Sequence, residues 1–137
     1  MNDRRLRVST RRELSDAILF AGIPHRNRDN IPEFLAISEE FMERVSGIRR
    51  FGAAALDLAY VAAGRCEGFW ELGLRPWNIA AGDVIVREAG GYVTDYSGRN
   101  RAILKGEVLA ANDQLHNKMV KVIGSVRRKL TTKAAAD

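Results

Sequence analysis

The sequence is poor in the residues that cross-link chains or hold soft metals. Cys66 is the only cysteine, so no disulfide can close within the chain, a pattern that suits a reducing compartment such as the cytoplasm. The two histidines, His25 and His116, lie far apart and no CxxC occurs, which argues against a zinc site built from this chain alone. No apolar run reaches the length of a membrane span, and the polar start Met1-Asn2-Asp3-Arg4-Arg5 leads into no signal-like segment. The expectation is a soluble, non-secreted, cytoplasmic protein. GxSxG, P-loop and HExxH motifs are absent, as are internal repeats and low-complexity stretches.

What is present is an ordinary globular composition. The chain has 137 residues, 46% of them hydrophobic and 28% charged. That length suits one domain with a real core. We read residues 1–126 as a single α/β domain and 127–137 as a basic tail expected to be disordered. The net charge of +5 is concentrated at the ends. Arg4, Arg5, Arg7, Arg11 and Arg12 crowd the start; Arg127, Arg128, Lys129 and Lys133 crowd the finish. With no nucleic-acid motif, a solvated surface is the preferred reading of these clusters over an RNA or DNA site.

Hydrophobic periodicity sets the expected elements. Leu6-Arg7-Val8-Ser9 alternates and reads as a short edge strand. Ala17 to Ala21 is an apolar run stopped by Gly22 and Pro24, a buried strand; His25 to Asn30 is loop-like. Asn30-Ile31-Pro32-Glu33 opens a helix, with Asn30 as cap and Glu33 completing a capping box, running about four turns to near Gly47. Ile48 to Phe51 reads as a short strand. Residues 53–63 form a helix apolar almost all round, hence buried on several sides. Glu67 to Leu72 is a strand. A helix opens at Trp77-Asn78, packs through Ile79, Ala80, Val84, Ile85 and Ala89, and stops at Gly90-Gly91. Tyr92 to Thr94 is a strand, Asp95 to Gly98 a type I turn, Val108 to Ala111 a strand, and Asp113 starts a last helix with Leu115, Met119, Val122, Ile123 and Val126 inward. Alternating strands and helices indicate an α/β layer with a mixed, largely parallel sheet flanked by helices.

Few residues stand out chemically. Gly52 sits where a helix begins; its neighbouring N–H groups could hold an anion, although a tight strand-to-helix turn explains it as well. Glu71 is a carboxylate in an aromatic strand, ordinarily turned to solvent or to a salt bridge. Trp77 reads first as core packing and Asn78 as an N-cap. Glu88, one turn from a helix end, opposes the dipole there and suggests an arginine partner, with a solvated side chain the simpler reading.

Together these stretches resemble a known family. Gly52-Ala53-Ala54-Ala55, Glu71-Leu72-Gly73, Trp77-Asn78-Ile79-Ala80-Ala81-Gly82, Glu88-Ala89-Gly90-Gly91 and Thr94-Asp95 resemble the inositol monophosphatase family in order and spacing. Arg49-Arg50-Phe51-Gly52 and Ala55-Leu56-Asp57-Leu58-Ala59 are most similar to its bacterial branch. The resemblance runs from about Leu6 to Ile123 and implies the C-terminal half of the inositol monophosphatase and fructose-1,6-bisphosphatase type of sugar-phosphatase fold. The family's other half carries a glutamate pair and an Asp-Pro-Leu-Asp-Gly-Thr type motif for metal, phosphate and water. No such motif occurs here, so Met1 would be an internal start or a fragment boundary.

The resemblance implies roles for named positions. Asn78 falls where the family has an aspartate that ligates Mg2+ near the leaving-group oxygen. Glu71 matches a glutamate that contacts sugar or inositol hydroxyls. Gly52, Ala53 and Ala54 match the substrate-pocket loop and helix start, and Trp77 the aromatic beside the metal ligand. No catalytic residue is assigned. Asparagine keeps the capping oxygen and loses the charge that Mg2+ prefers. The implied activity is Mg2+-dependent hydrolysis of inositol-1-phosphate or a related sugar phosphate, with fructose-1,6-bisphosphate and nucleotide 3′-phosphates as rival substrates. This chain would supply the substrate-side half and be inactive alone. The implied partners are a phosphate ester and either a second copy, as in a homo-oligomeric dimer, or the missing half. Neither nucleic acid nor membrane is expected. The alternative is a non-catalytic, truncated or degenerate homologue acting as a binding or oligomerisation module, with an association with transcription in view. The site is expected as half a cleft, open beside Gly52, Glu71 and Asn78.

Overall fold

A computed structural model describes residues 5–24 and 28–136. The expectations for Met1 to Arg4 and for the stretch 25–27 fall outside these residues. Five strands form one mixed sheet: β1 (Ile18–Ala21), β2 (Gly47–Arg49), β3 (Gly68–Leu72), β4 (Tyr92–Thr94) and β5 (Glu107–Ala111), in the order β2-β1-β3-β5-β4. β1 is parallel to β2 and to β3; β5 is antiparallel to both β3 and β4. Among the described residues no helix is long and apolar enough to cross a membrane.

Strand alternation sorts the core into two halves. Leu19, Ala21, Trp70, Leu109 and Ala111 face one side. There they meet α1 (Ile31–Met42) and α5 (Asp113–Ala136) through Ile37, Phe41, Leu115, Met119 and Ile123. Phe20, Phe69, Val108 and Ala110 face the other side, under α2 (Ala54–Ala62), α3 (Pro76–Glu88) and the short α4 (Ala102–Lys105). Apolar strands buried on both faces are what an α/β sheet requires.

Several local expectations are corrected, each for a visible reason. Residues 6–9 join no strand. Leu6 and Val8 do pack inward, but the Val8 N–H donates to the Ala89 carbonyl at the end of α3, 3.0 Å away, instead of to a sheet ladder. Asn30 makes no cap hydrogen bond, because a 3-10 turn at Arg28–Asn30 runs straight into α1. Glu33 does not close a capping box either, since Arg127 Nη2 donates to it at 3.0 Å. α1 stops at Met42, short of Gly47, where β2 already begins.

α2 is buried on one face only; Ala55 and Leu56 are exposed. α3 turns Ile79, Gly82, Val86 and Ala89 inward, and leaves Ala80, Val84 and Ile85 exposed. Gly82 explains the choice. A Cβ there would overlap the Leu58 side chain, so the glycine lets α2 and α3 meet closely and fixes which side of α3 they share.

The stretch from Arg127, expected as a disordered tail, continues α5 to Ala136. Arg127 donates to Glu33 on α1 and, at 2.6 Å, to Glu107 on β5, while its guanidinium lies 4.8 Å from the centre of the Tyr96 ring. The second Glu107 oxygen accepts the Tyr96 N–H at 3.1 Å. Burial opposes the Arg127 charge, but the hydrogen bonds to Glu107 and Glu33 outweigh it and raise its pKa. Burial first, and then the Glu107 and Glu33 charges, push the Tyr96 phenol well above its ordinary range.

Candidate functional site

β2, β1 and β3 run the same way, so their carboxyl ends share one edge. The segments leaving that edge converge. Gly22 follows β1, Arg50 to Ala54 follow β2, and Glu71 and Gly73 end β3. Asn78, in the first turn of α3, closes the group. These residues line one open hollow of about 360 Å³. Open α/β sheets characteristically bind ligands outside the carboxyl ends of their strands. Gly52, Ala53, Ala54, Glu71 and Asn78, singled out in the sequence, therefore stand around a common space.

Each wall has a local cause. Gly52 has φ of 79°, a left-handed backbone that lets β2 turn sharply into α2. Ala53 precedes α2 in extended conformation and offers no capping side chain, so the first-turn N–H groups are left for solvent or a ligand. Glu71 is 8% exposed and so buried, not turned to solvent. Its carboxylate lies over the backbone of Gly22, where any Cβ would overlap it. Asn78 is not the N-cap. α3 starts two residues earlier, at Pro76, with Arg75 as cap. Asn78 Oδ1 accepts the Arg75 N–H at 3.0 Å, and the Asn78 N–H donates to the Arg75 carbonyl at 2.9 Å. The side chain reaches back to close the helix start, as the acidic or amide member of a capping box does.

Other expectations part from the structure. Trp77 is 72% exposed, not core; it lies outside the hollow with the Arg75 guanidinium 5.8 Å from its ring centre. Glu88, by contrast, is solvated as its simpler reading had it: it is exposed beside Arg5 and makes no ion pair among the described residues. Among the residues of the hollow that the sequence reading did not single out, two carry the lesson. Gly22 looked like a strand stop, and Arg50 was read only as part of a short strand and of the Arg49-Arg50-Phe51-Gly52 stretch. Their signal was position, each following a strand of the parallel set.

The electrostatics combine one carboxylate with two sources of positive potential, Arg50 and the amino end of α2. Beneath them Asp57 is 1% exposed, and neither of its carboxylate oxygens has a hydrogen-bond partner in the described residues. Burial raises its pKa to about 6, against the opposing pull of Arg50. A Mg2+ ion is not matched by this donor set. Among the described residues no three His, Cys, Asp or Glu side chains converge, and the hollow supplies only the Glu71 carboxylate and an Asn78 oxygen already accepting a hydrogen bond.

The sequence pattern described as the inositol monophosphatase family matches residues 1–128. The chain belongs to the inositol monophosphatase family. It is 49% identical over 123 residues to an inositol-1-monophosphatase of Mesorhizobium japonicum, covering 90% of this chain and 46% of that protein. It is 44% identical over 120 residues to the Nus factor SuhB of Escherichia coli, covering 88% of this chain and 45% of that one. The crystal structure of the extragenic suppressor protein suhB from Bartonella henselae superposes with a TM-score of 0.85 at 49% identity, over 89% of this chain and 47% of that chain. A Thermotoga maritima IMPase superposes with a TM-score of 0.82 at 35% identity, over 93% and 48%. The family assignment and the mixed α/β architecture are thus both as the sequence implied. This family member spans about half the length of these relatives.

Proposed function

We propose that this chain supplies the substrate-side half of a Mg2+-dependent phosphomonoesterase site acting on inositol-1-phosphate or a related sugar phosphate. One observation carries the reading: Gly52, Ala53, Ala54, Glu71 and Asn78 gather around a single hollow at the carboxyl edge of the parallel strands. Glu71 accepts hydrogen bonds from polyol hydroxyls. Arg50 and the open N–H groups of α2 draw in the negative charge of the ester. The chemistry of a metal, polarisation of the phosphate and activation of water, would have to come from residues outside this chain's donor set. This chain lacks the carboxylates for that task among its described residues, so it binds the ester without hydrolysing it.

Titration of the purified chain with inositol-1-phosphate tests this. Amide shifts at 52–54, 71 and 78 are expected, with loss of binding in Glu71→Gln and no phosphate release at any Mg2+ concentration. Robust Mg2+-dependent release by the chain alone overturns the half-site reading. Absence of any shift overturns the substrate assignment. A non-catalytic role is the second reading, favoured by relatives at 44–46% identity that bear the name Nus factor SuhB; a chain that ignores the ester would leave that reading standing.

A further inference from the structure

At the opposite edge of the sheet, residues 5–12 cross the amino ends of β1 and β3. Leu6 and Val8 seal the α2–α3 side of the core, while Arg5, Arg7, Arg11 and Arg12 are exposed. The strip is fastened along its length. Besides the Val8 bond to Ala89, Asn112 Nδ2 donates to the Ser9 and Arg11 carbonyls at 2.8 and 2.7 Å. Ser9 Oγ donates to the buried Glu67 at 3.2 Å, and the other Glu67 oxygen accepts the Ile18 N–H at 2.6 Å. Arg65, exposed in the turn before β3, joins the same edge.

Two open hollows of about 580 and 500 Å³ flank this strip and share Arg7 to Thr10 as their rim. Arg12 stands at the first; Arg11 and Arg65 stand at the second. Arg11 has Glu67 at 3.7 Å, but Arg7, Arg12 and Arg65 make no ion pair among the described residues. The acid beside the first hollow, Asp113, is engaged at the start of α5, where it accepts the Gln114 N–H at 2.8 Å.

We infer that this strip is a docking surface for the phosphodiester backbone of a single-stranded nucleic acid. A lone phosphate needs donors that converge. Here guanidiniums are spread along one chain segment and divided between adjoining hollows. That layout fits successive charges of a flexible polyanion, and guanidinium forks suit phosphate oxygens. Neither hollow is lined by an aromatic side chain, so bases have no stacking platform and binding is sequence-independent. The solvated-surface reading of these arginines did not anticipate that the fold holds them as a fixed strip. The surface lies at the other end of the strands from the 360 Å³ hollow and stands independently of the phosphatase reading.

Fluorescence anisotropy with a mixed-sequence RNA oligonucleotide and the purified chain tests it. Binding is expected at low salt, with log affinity falling against log salt at a slope of about −2 for three contacted phosphates. The triple variant Arg7→Ala, Arg12→Ala, Arg65→Ala should weaken binding by about tenfold or more. Lys129→Ala with Lys133→Ala, on the far end of α5, should leave it unchanged. A neutral methylphosphonate strand should fail against the unaltered protein, a readout that requires no variant to fold. The proposal is overturned by absent RNA binding, by equal loss in the lysine variant, by undiminished binding of the neutral strand, or by a polyglutamate of equal length competing as well as RNA.

Discussion

The two helical layers of this molecule are finished to different degrees. The layer of α1 and α5 exposes two large apolar side chains, Leu35 and Met42, and is tied to the sheet by Arg127 with Glu33 and Glu107. The layer of α2, α3 and α4 exposes Leu56, Trp77, Val84, Ile85, Ile103 and Leu104. It also keeps the Asp57 carboxylate without a partner among the described residues and forms the wall of the hollow. One layer ends in its own contacts. The other has an outer surface with the apolar character of an interface, beside a site with too few metal ligands. Of the candidate site residues, Ala54 and Asn78 belong to this second layer, while Glu71 stands on the sheet.

Breaking the well-tied layer should cost most. Arg127→Ala strands two glutamates that it now neutralises, and we expect a loss of about 2–4 kcal/mol in chemical denaturation, with the 127–136 stretch losing hydrogen-exchange protection. If stability is unchanged, Arg127 is a surface residue and the contrast between layers disappears.

Asp57 tests the other layer through pH. Its folded pKa of about 6 lies above its value of 3.8 in the unfolded chain, so between those values the folded state holds a proton that the unfolded state has released. Stability attributable to Asp57 is therefore greatest below pH 3.8, falls as pH rises to about 6, and is level beyond. The change is on the order of 2–3 kcal/mol. Comparing Asp57→Asn with the unaltered chain across that window isolates it: the difference should tilt with pH, and a flat difference would mean that Asp57 is not desolvated.

Two milder changes sharpen the picture. Asn78→Ala removes the oxygen that holds the Arg75 N–H and should lower the melting temperature by the equivalent of about 1 kcal/mol. Asn78→Asp keeps that bond, places a charge at the positive helix end and should equal or exceed the parent by about 0.3–1 kcal/mol. Trp77→Ser with Val84→Ser should alter stability by no more than about 0.5 kcal/mol. The same pair should shift sedimentation toward monomer if the α3 surface is covered by a second copy. Unchanged sedimentation would leave the surface to a different partner.

What could be read in advance follows the same physics. β1, β3 and β5 were visible because their apolar runs end at glycine, proline or asparagine. Leu6 to Val8 misled because alternation reports which side of a segment is buried, not where its N–H groups go. The α3 face was misassigned because glycine carries no hydrophobic weight in a periodicity, yet Gly82 sets where α2 lies. A chain terminus reads as frayed, while Arg127 finds acids that are distant in sequence and adjacent in space. The candidate site was legible through Gly52 to Ala54, Glu71 and Asn78, which the resemblance singled out and which line one hollow. Arg50 and Gly22 were not, since only the parallel pairing of β1, β2 and β3 brings them to one edge.

The approach of Glu71 to Gly22 reaches beyond the hollow. The missing side chain at 22 is the space that the carboxylate at 71 fills. The two positions are therefore coupled in space: a methyl group at 22 would require the acid at 71 to shorten or swing. Libraries meant to redirect ligand preference should vary these positions together, since a side chain at 22 displaces the acid that faces it.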